Sequence, residues 1–127
     1  MEVMAMDKRI KDLWVRALRS GEFKQCKGQL EKDGKYCALG VLSILALIEG
    51  QCTYLPAGKS GRFDHKKFKL SFNIMKWARI AQEEEKFLNS IEQEVKIHYK
   101  GRPTTIARLN DLGISFLELA DLIEKQL

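Results

Sequence analysis

The chain has 127 residues, 45% of them hydrophobic and 31% charged, with a net charge of +5. This is the composition of a single globular domain spanning residues 1–127, and it excludes the low-hydrophobicity, high-charge regime of disordered chains. Charged residues from Asp7 to Asp12 break any N-terminal leader pattern, and the apolar stretch 38–48 is well short of the ~20 residues a membrane span needs, so no membrane partner is expected.

From the N-terminus, Ile10, Leu13, Trp14, Ala17 and Leu18 form one stripe of an amphipathic helix over Asp7–Ser20. Asp7 is placed to cap its start, Arg16 and Arg19 suit its negative end, and Gly21 stops it. Asp33-Gly34 predicts a type I′ hairpin between short strands at Gln25–Leu30 and Lys35–Cys37. The segment Ala38–Ile48 is apolar on every side of a helix, which makes it the expected central buried element, dry over its whole length and ended by Gly50.

Residues 51–70 read as a basic loop, with a short strand near Cys52–Leu55. The region 51–82 carries seven Lys/Arg against one acid, Asp64, whereas 83–127 carries nine acids against six bases. Such halves either seek an anionic partner or face each other in the fold. Ser71 caps a helix with Ile74, Trp77, Ala78 and Ala81 on one face, and Glu83-Glu84-Glu85 suit the first turn of another, continued by Phe87, Leu88, Ile91 and Val95. Val95, Ile97 and Tyr99 alternate with polar residues, predicting a strand that stops at Gly101-Arg102-Pro103. Thr104 or Thr105 caps a short helix that ends before Gly113, and Ser115 with Glu118 forms a capping box for a last helix buried through Phe116, Leu119, Ala120, Ile123 and Leu127. The fold expected is α+β and mainly helical: a central buried helix, amphipathic helices around it, and a small antiparallel sheet.

Trp14-Val15-Arg16-Ala17-Leu18-Arg19-Ser20-Gly21-Glu22-Phe23-Lys24-Gln25, Tyr36-Cys37-Ala38-Leu39-Gly40-Val41-Leu42, the Trp77-Ala78 helix and Leu109-Asn110-Asp111-Leu112-Gly113-Ile114-Ser115-Phe116 occur in that order. Together they resemble a family of small uncharacterised bacteriophage and prophage proteins, over roughly Trp14 to Glu124. The chain departs from that family's pattern at Ala38, where a second cysteine is common, and at Leu70-Ser71, where Leu-Pro is common. The resemblance implies a mobile-element accessory protein in a bacterial host cytosol, without naming a reaction.

Candidate chemistry is sparse. Cys37, at the first turn of the apolar helix, is the best nucleophile, because a helix N-terminus lowers a thiol's pKa. His98 would be its base and Asp111 or Asn110 the orienting group, composing a Cys-His-Asp/Asn set for a hydrolase or transferase. The competing reading makes Cys37 a small buried hydrophobe. Cys26, Cys37 and Cys52 form neither a disulfide framework nor a zinc pattern, so reduced cytosolic thiols are expected, and the two histidines offer no metal-ligand spacing. Metal: none; cofactor: none.

Arg19, Gln25, Asn110 and Asp111 are polar residues at helix ends or at the entry to a hairpin, and are candidates to line a binding cleft beside the central helix, or to satisfy turn backbone. Lys59, Arg62, Lys66, Lys67 and Lys69 suit phosphates, with Phe63 or Phe68 as a stacking face; the alternative is a solvated loop anchored by its phenylalanines. Gly58-Lys59-Ser60 lacks the upstream glycine of a phosphate-binding P-loop. Leu109–Glu124 has helix-turn-helix character, but no recognition helix follows before Leu127, and Glu118, Asp121 and Glu124 would repel phosphates. Weighed together, these features favour a non-enzymatic binding protein that occupies a host protein or sequesters a small ligand, ahead of a cysteine enzyme or a nucleic-acid-associated protein.

Overall fold

The computed structural model describes residues 6–80 and 95–127. Within them, five helices and three two-stranded antiparallel sheets give an α+β architecture. Helix α1 (Lys8–Arg19) starts where Asp7 accepts the Ile10 amide at 3.0 Å, and buries Ile10, Trp14, Val15 and Leu18. Val15 extends the expected stripe, while Leu13 is only half-buried. Helix α2 (Ala38–Ile48) is the core element, with α1, α3 (Phe72–Trp77) and α4 (Ile106–Asp111) against it, while α5 (Phe116–Gln126) packs chiefly on α1.

The central helix is dry over only part of its length. Residues 38–43 and Ala46 are buried, Ile44, Leu45 and Leu47 are half-buried, and Ile48 is 74% exposed. The neighbouring helices cover its N-terminal turns, while its last turn projects toward Gly50, whose φ of +72° ends it. An all-round apolar sequence therefore marks burial at one end, not everywhere.

The sheet content is three separate hairpins rather than one sheet. Hairpin β1–β2 (Glu31–Lys32, Lys35–Tyr36) turns through Asp33 and Gly34, both at positive φ, as a type I′ turn requires. Its first strand is not Gln25–Leu30, because Gly28 sits at φ +78° and the Leu30 amide donates to the Lys67 carbonyl instead. In the region expected to be a loop, the short strand expected near Cys52–Leu55 is β3 (Tyr54–Ala57), shifted by two residues, and it pairs through Gly58 with an unexpected β4 (Ser60–Phe63). Gly58 at φ +63° supplies the turn, and Pro56 is tolerated because a two-stranded sheet has no central strand.

The strand expected at 95–99 is β5 (Lys96–Tyr99), which stops before Gly101 as expected; the chain then turns through Lys100 and Gly101 and returns as an unexpected β6 (Arg102–Thr105). Thr105, not Thr104, then caps α4, and Gly113 at φ +95° follows its end. Ser115 caps α5 by accepting the Glu118 amide, and Phe116, Leu119, Ala120 and Ile123 are its buried stripe. Ser71 caps α3, whose Ile74 and the following Ala78 are fully buried. Ala81, Glu83 to Glu85, Phe87, Leu88 and Ile91 lie outside the described residues, while Val95 is buried at the start of the β5 hairpin rather than on a helix. Among the described residues, no helix is long and apolar enough to cross a membrane.

Candidate functional site

Three of the four polar residues that the sequence marks as cleft candidates, Gln25, Asn110 and Asp111, converge near the N-terminus of α2. Asn110 is fully buried; its Oδ1 accepts the Ala38 amide at 3.1 Å and the Gln25 side-chain amide at 2.9 Å, and its Nδ2 donates to the Cys26 carbonyl at 2.8 Å. Gln25 also donates to the Ile114 carbonyl and accepts the Phe116 amide, while Asp111 accepts the Gly28 amide at 2.8 Å. These side chains tie the 24–30 segment, α2, α4 and α5 into one node. Every polar valence described at Gln25 and Asn110 points at protein, so the pair acts as internal architecture and not as the lining of an empty cleft. Arg19 stands apart, pairing with Asp121 at 2.7 Å and Glu124 at 3.1 Å across the α1–α5 seam.

Cys37 is the N-cap of α2, and its Sγ accepts the Gly40 amide at 3.4 Å. Burial pushes this thiol up to about 12, outweighing the opposing hydrogen bond from Gly40. The helix N-terminus does not produce a thiolate here, because desolvation penalises charge more than one weak hydrogen bond favours it. Cys52 is pushed up to about 11 and Cys26 is raised, both mainly by burial. His98 lies on β5, where its backbone exchanges two 2.7 Å hydrogen bonds with the side chain of Gln126. Among the described residues, no hydrogen bond joins the Cys37 sulfur to an imidazole.

Two open grooves flank the β5–β6 hairpin. One, of about 480 Å³, is lined by Ile97, His98, Pro103 and Gln126; the other, of about 910 Å³, by Tyr99, Arg102, Arg108, Asp111 and Leu112. Among the described residues, no group of three or more His, Cys, Asp or Glu side chains is placed to hold a metal ion.

The basic segment is where the structure adds most to the sequence. Phe63 is fully buried, in a tilted contact with the Tyr54 ring at 5.1 Å, so it anchors the hairpin and is not available as a stacking face. Phe68 is 59% exposed, with the Lys67 ammonium 5.3 Å from its ring centroid. Between them, Asp64 and His65 form a two-residue turn with φ of 51° and 68°, closed by paired hydrogen bonds between Phe63 and Lys66. Two non-glycine residues in the left-handed region are held by the Asp64 carboxylate. It accepts the Thr53 amide and hydroxyl, the Ser71 hydroxyl and the Asn73 side-chain amide. Burial opposes ionisation of this carboxyl, but the Ser71, Thr53 and Asn73 hydrogen bonds together win and hold it below its ordinary value.

Sequence reasoning missed that the β1–β2 hairpin is stitched onto this limb. The Asp33 amide donates to the Lys59 carbonyl at 2.7 Å, the Leu30 amide to the Lys67 carbonyl at 2.9 Å, Ser60 bonds Gln29, and the Tyr54 hydroxyl donates to Glu31. Lys32 and Lys35, a cross-strand pair, thereby join Lys59, Arg62, Lys66, Lys67 and Lys69. The signal available in the sequence was the alternation of Lys32 and Lys35 around Asp33-Gly34, but nothing local placed that hairpin beside the later one.

The chain belongs to the family described as Domain of unknown function (DUF8296), whose sequence model matches residues 6–127. No curated protein and no solved structure matches it.

Proposed function

We propose that this member of the family is a binding protein of the bacteriophage or mobile-element accessory type, which acts in a bacterial host cytosol by occupying a host macromolecule and performs no covalent chemistry. The mobile-element character rests on the motif resemblance set out above. The observation that carries the binding reading is the state of Cys37: the thiol at the start of α2 is sealed in the core, pushed up to about 12, and hydrogen-bonded to a main-chain amide. Nucleophilic catalysis needs a thiolate within reach of a base. The polar residues nearest to it are used in folding, which leaves the exposed surface to do the work. Both grooves beside β5–β6 are open, which favours a macromolecular partner over an enclosed small ligand.

The test is thiol accessibility. Iodoacetamide labelling at pH 7.5, read by peptide mass mapping at Cys37, should run at least about tenfold slower in the folded protein than in denaturant, as expected of an inert buried thiol. Cys37→Ser, which keeps an N-cap oxygen, should fold and keep its binding. Faster labelling in the folded state than in the unfolded chain would sink the reading.

A further inference from the structure

We propose that the limb formed by the two joined hairpins and the 64–69 segment is a binding surface for a single-stranded nucleic acid, with lysines on the phosphates and Phe68 stacked on a base. This deepens the binding-protein reading and rests on it.

Three observations carry the inference. The first is unbalanced charge. Residues 31–36 and 54–69 hold seven Lys/Arg against three acids, Glu31, Asp33 and Asp64. Glu31 is engaged by the Tyr54 hydroxyl and Asp64 by four hydrogen bonds. The ion pairs among the described residues involve Arg9 and Arg19, and none of the limb's cations. A cluster of this kind raises the local potential and draws a polyanion.

The second is the exposed aromatic. Phe68 presents its ring at 59% exposure within a run of lysines, and a base can stack on such a face only when it is not already stacked in a duplex. The third is rigidity. The Asp64–His65 turn, clamped by the Asp64 carboxylate, fixes the direction in which Lys66 to Lys69 leave the hairpin, so less ordering entropy is lost on binding. An acidic protein fits less well, because six of the seven cations are lysine, a residue depleted from the centres of protein–protein interfaces. Lysine on a phosphodiester chain has no such penalty.

The experiment is fluorescence anisotropy with the full chain and labelled oligo(U) RNA, oligo(dT) and a random duplex, at 50 and 200 mM salt. Anionic phosphatidylserine vesicles provide a further arm, and each strand is recovered afterward on a denaturing gel. Both single strands should bind more tightly than the duplex. With about four phosphate contacts, affinity should fall roughly fiftyfold between the two salt concentrations. The double variant Lys66→Glu/Lys69→Glu should lose binding more than about tenfold. Phe68→Ala should lose roughly five- to a hundredfold for single strands, with little change for the duplex. Thermal melting confirms that these surface variants fold. A preference for RNA or for DNA identifies the natural strand, and either supports the inference. Failure of both single strands to bind at 50 mM salt overturns it, as does equal binding of the duplex with no effect of Phe68→Ala, or binding to the vesicles alone. A bound strand recovered shortened would instead overturn the non-enzymatic reading while leaving the surface in place.

Discussion

Asn110 ties α4 to two other segments of the fold through three hydrogen bonds. With no exposed surface, it replaces water for the first amide of α2, for the Cys26 carbonyl and for Gln25, so its removal orphans groups on two other segments, α2 and residues 24–30. A buried donor or acceptor left without a partner costs about 1–3 kcal/mol. Asn110→Ala is therefore expected to lower unfolding stability by roughly 3 kcal/mol, measured by urea denaturation. Gln25→Ala should cost less, because Gln25 is half-buried and water can reach the groups it leaves. Equal, negligible effects from both changes would remove the node from the account of stability. Cys37 illustrates the same balance from the other side: its sulfur caps α2 weakly at 3.4 Å and otherwise fills space between apolar neighbours.

At the scale of elements, the chain just before the β1–β2 hairpin lies tightly against α2. Gly40 lies on the first turn of α2, and a methyl group there would run into the Leu30 carbonyl, with the carbonyl carbon only 2.8 Å away. Leu30 cannot retreat, because its amide donates to Lys67 and its oxygen accepts the Cys37 amide at 3.2 Å. Gly40→Ala would ordinarily favour a helix by about 1 kcal/mol. Here it should instead destabilise strongly, by at least ~3 kcal/mol in denaturant melts, because backbone must move against backbone. A neutral or stabilising result would show that the two segments separate without cost.

The helices were legible because their signals are local: Asp7, Ser71, Thr105 and Ser115 cap where their sequence context says, and the stripes of α1 and α5 follow from spacing. Turn chemistry located Asp33-Gly34 but not the turn at Asp64-His65, which has no glycine and exists only because Thr53, Ser71 and Asn73 hold the carboxylate from a distance. The convergence of Gln25 with Asn110 and Asp111 was legible as a pattern of polar residues. Their role was not, because periodicity does not reveal which main-chain amides lack partners. Phe63 and Phe68 sit among the same charges in sequence, yet Phe63 is buried as a paired residue of β4 whereas Phe68, beyond the hairpin, is exposed.

At the scale of the whole molecule, α1 connects the two halves of the chain, and it does so by two unlike means. On the outside, Arg9 pairs with the half-buried Glu49, and Arg19 with the exposed Asp121 and Glu124. On the inside, Trp14 is fully buried and its indole N–H donates to the Ala38 carbonyl at 2.9 Å, joining α1 to the start of α2. Asp121 and Glu124 are thus met by an arginine of α1, and among the described residues no ion pair joins them to the basic limb. Exposed ion pairs gain little over hydration, whereas a buried indole combines a large apolar surface with a directed hydrogen bond. Arg19→Ala should leave the urea midpoint nearly unchanged, and raising salt should move it little. Trp14→Phe keeps an aromatic ring but leaves a cavity and loses the Ala38 bond, so it should cost about 2–3 kcal/mol. If Arg19→Ala proved the more damaging of the two, the seam between α1 and α5 would have to be held by charge, and the buried contacts of Trp14, Leu18 and Ile123 would be secondary.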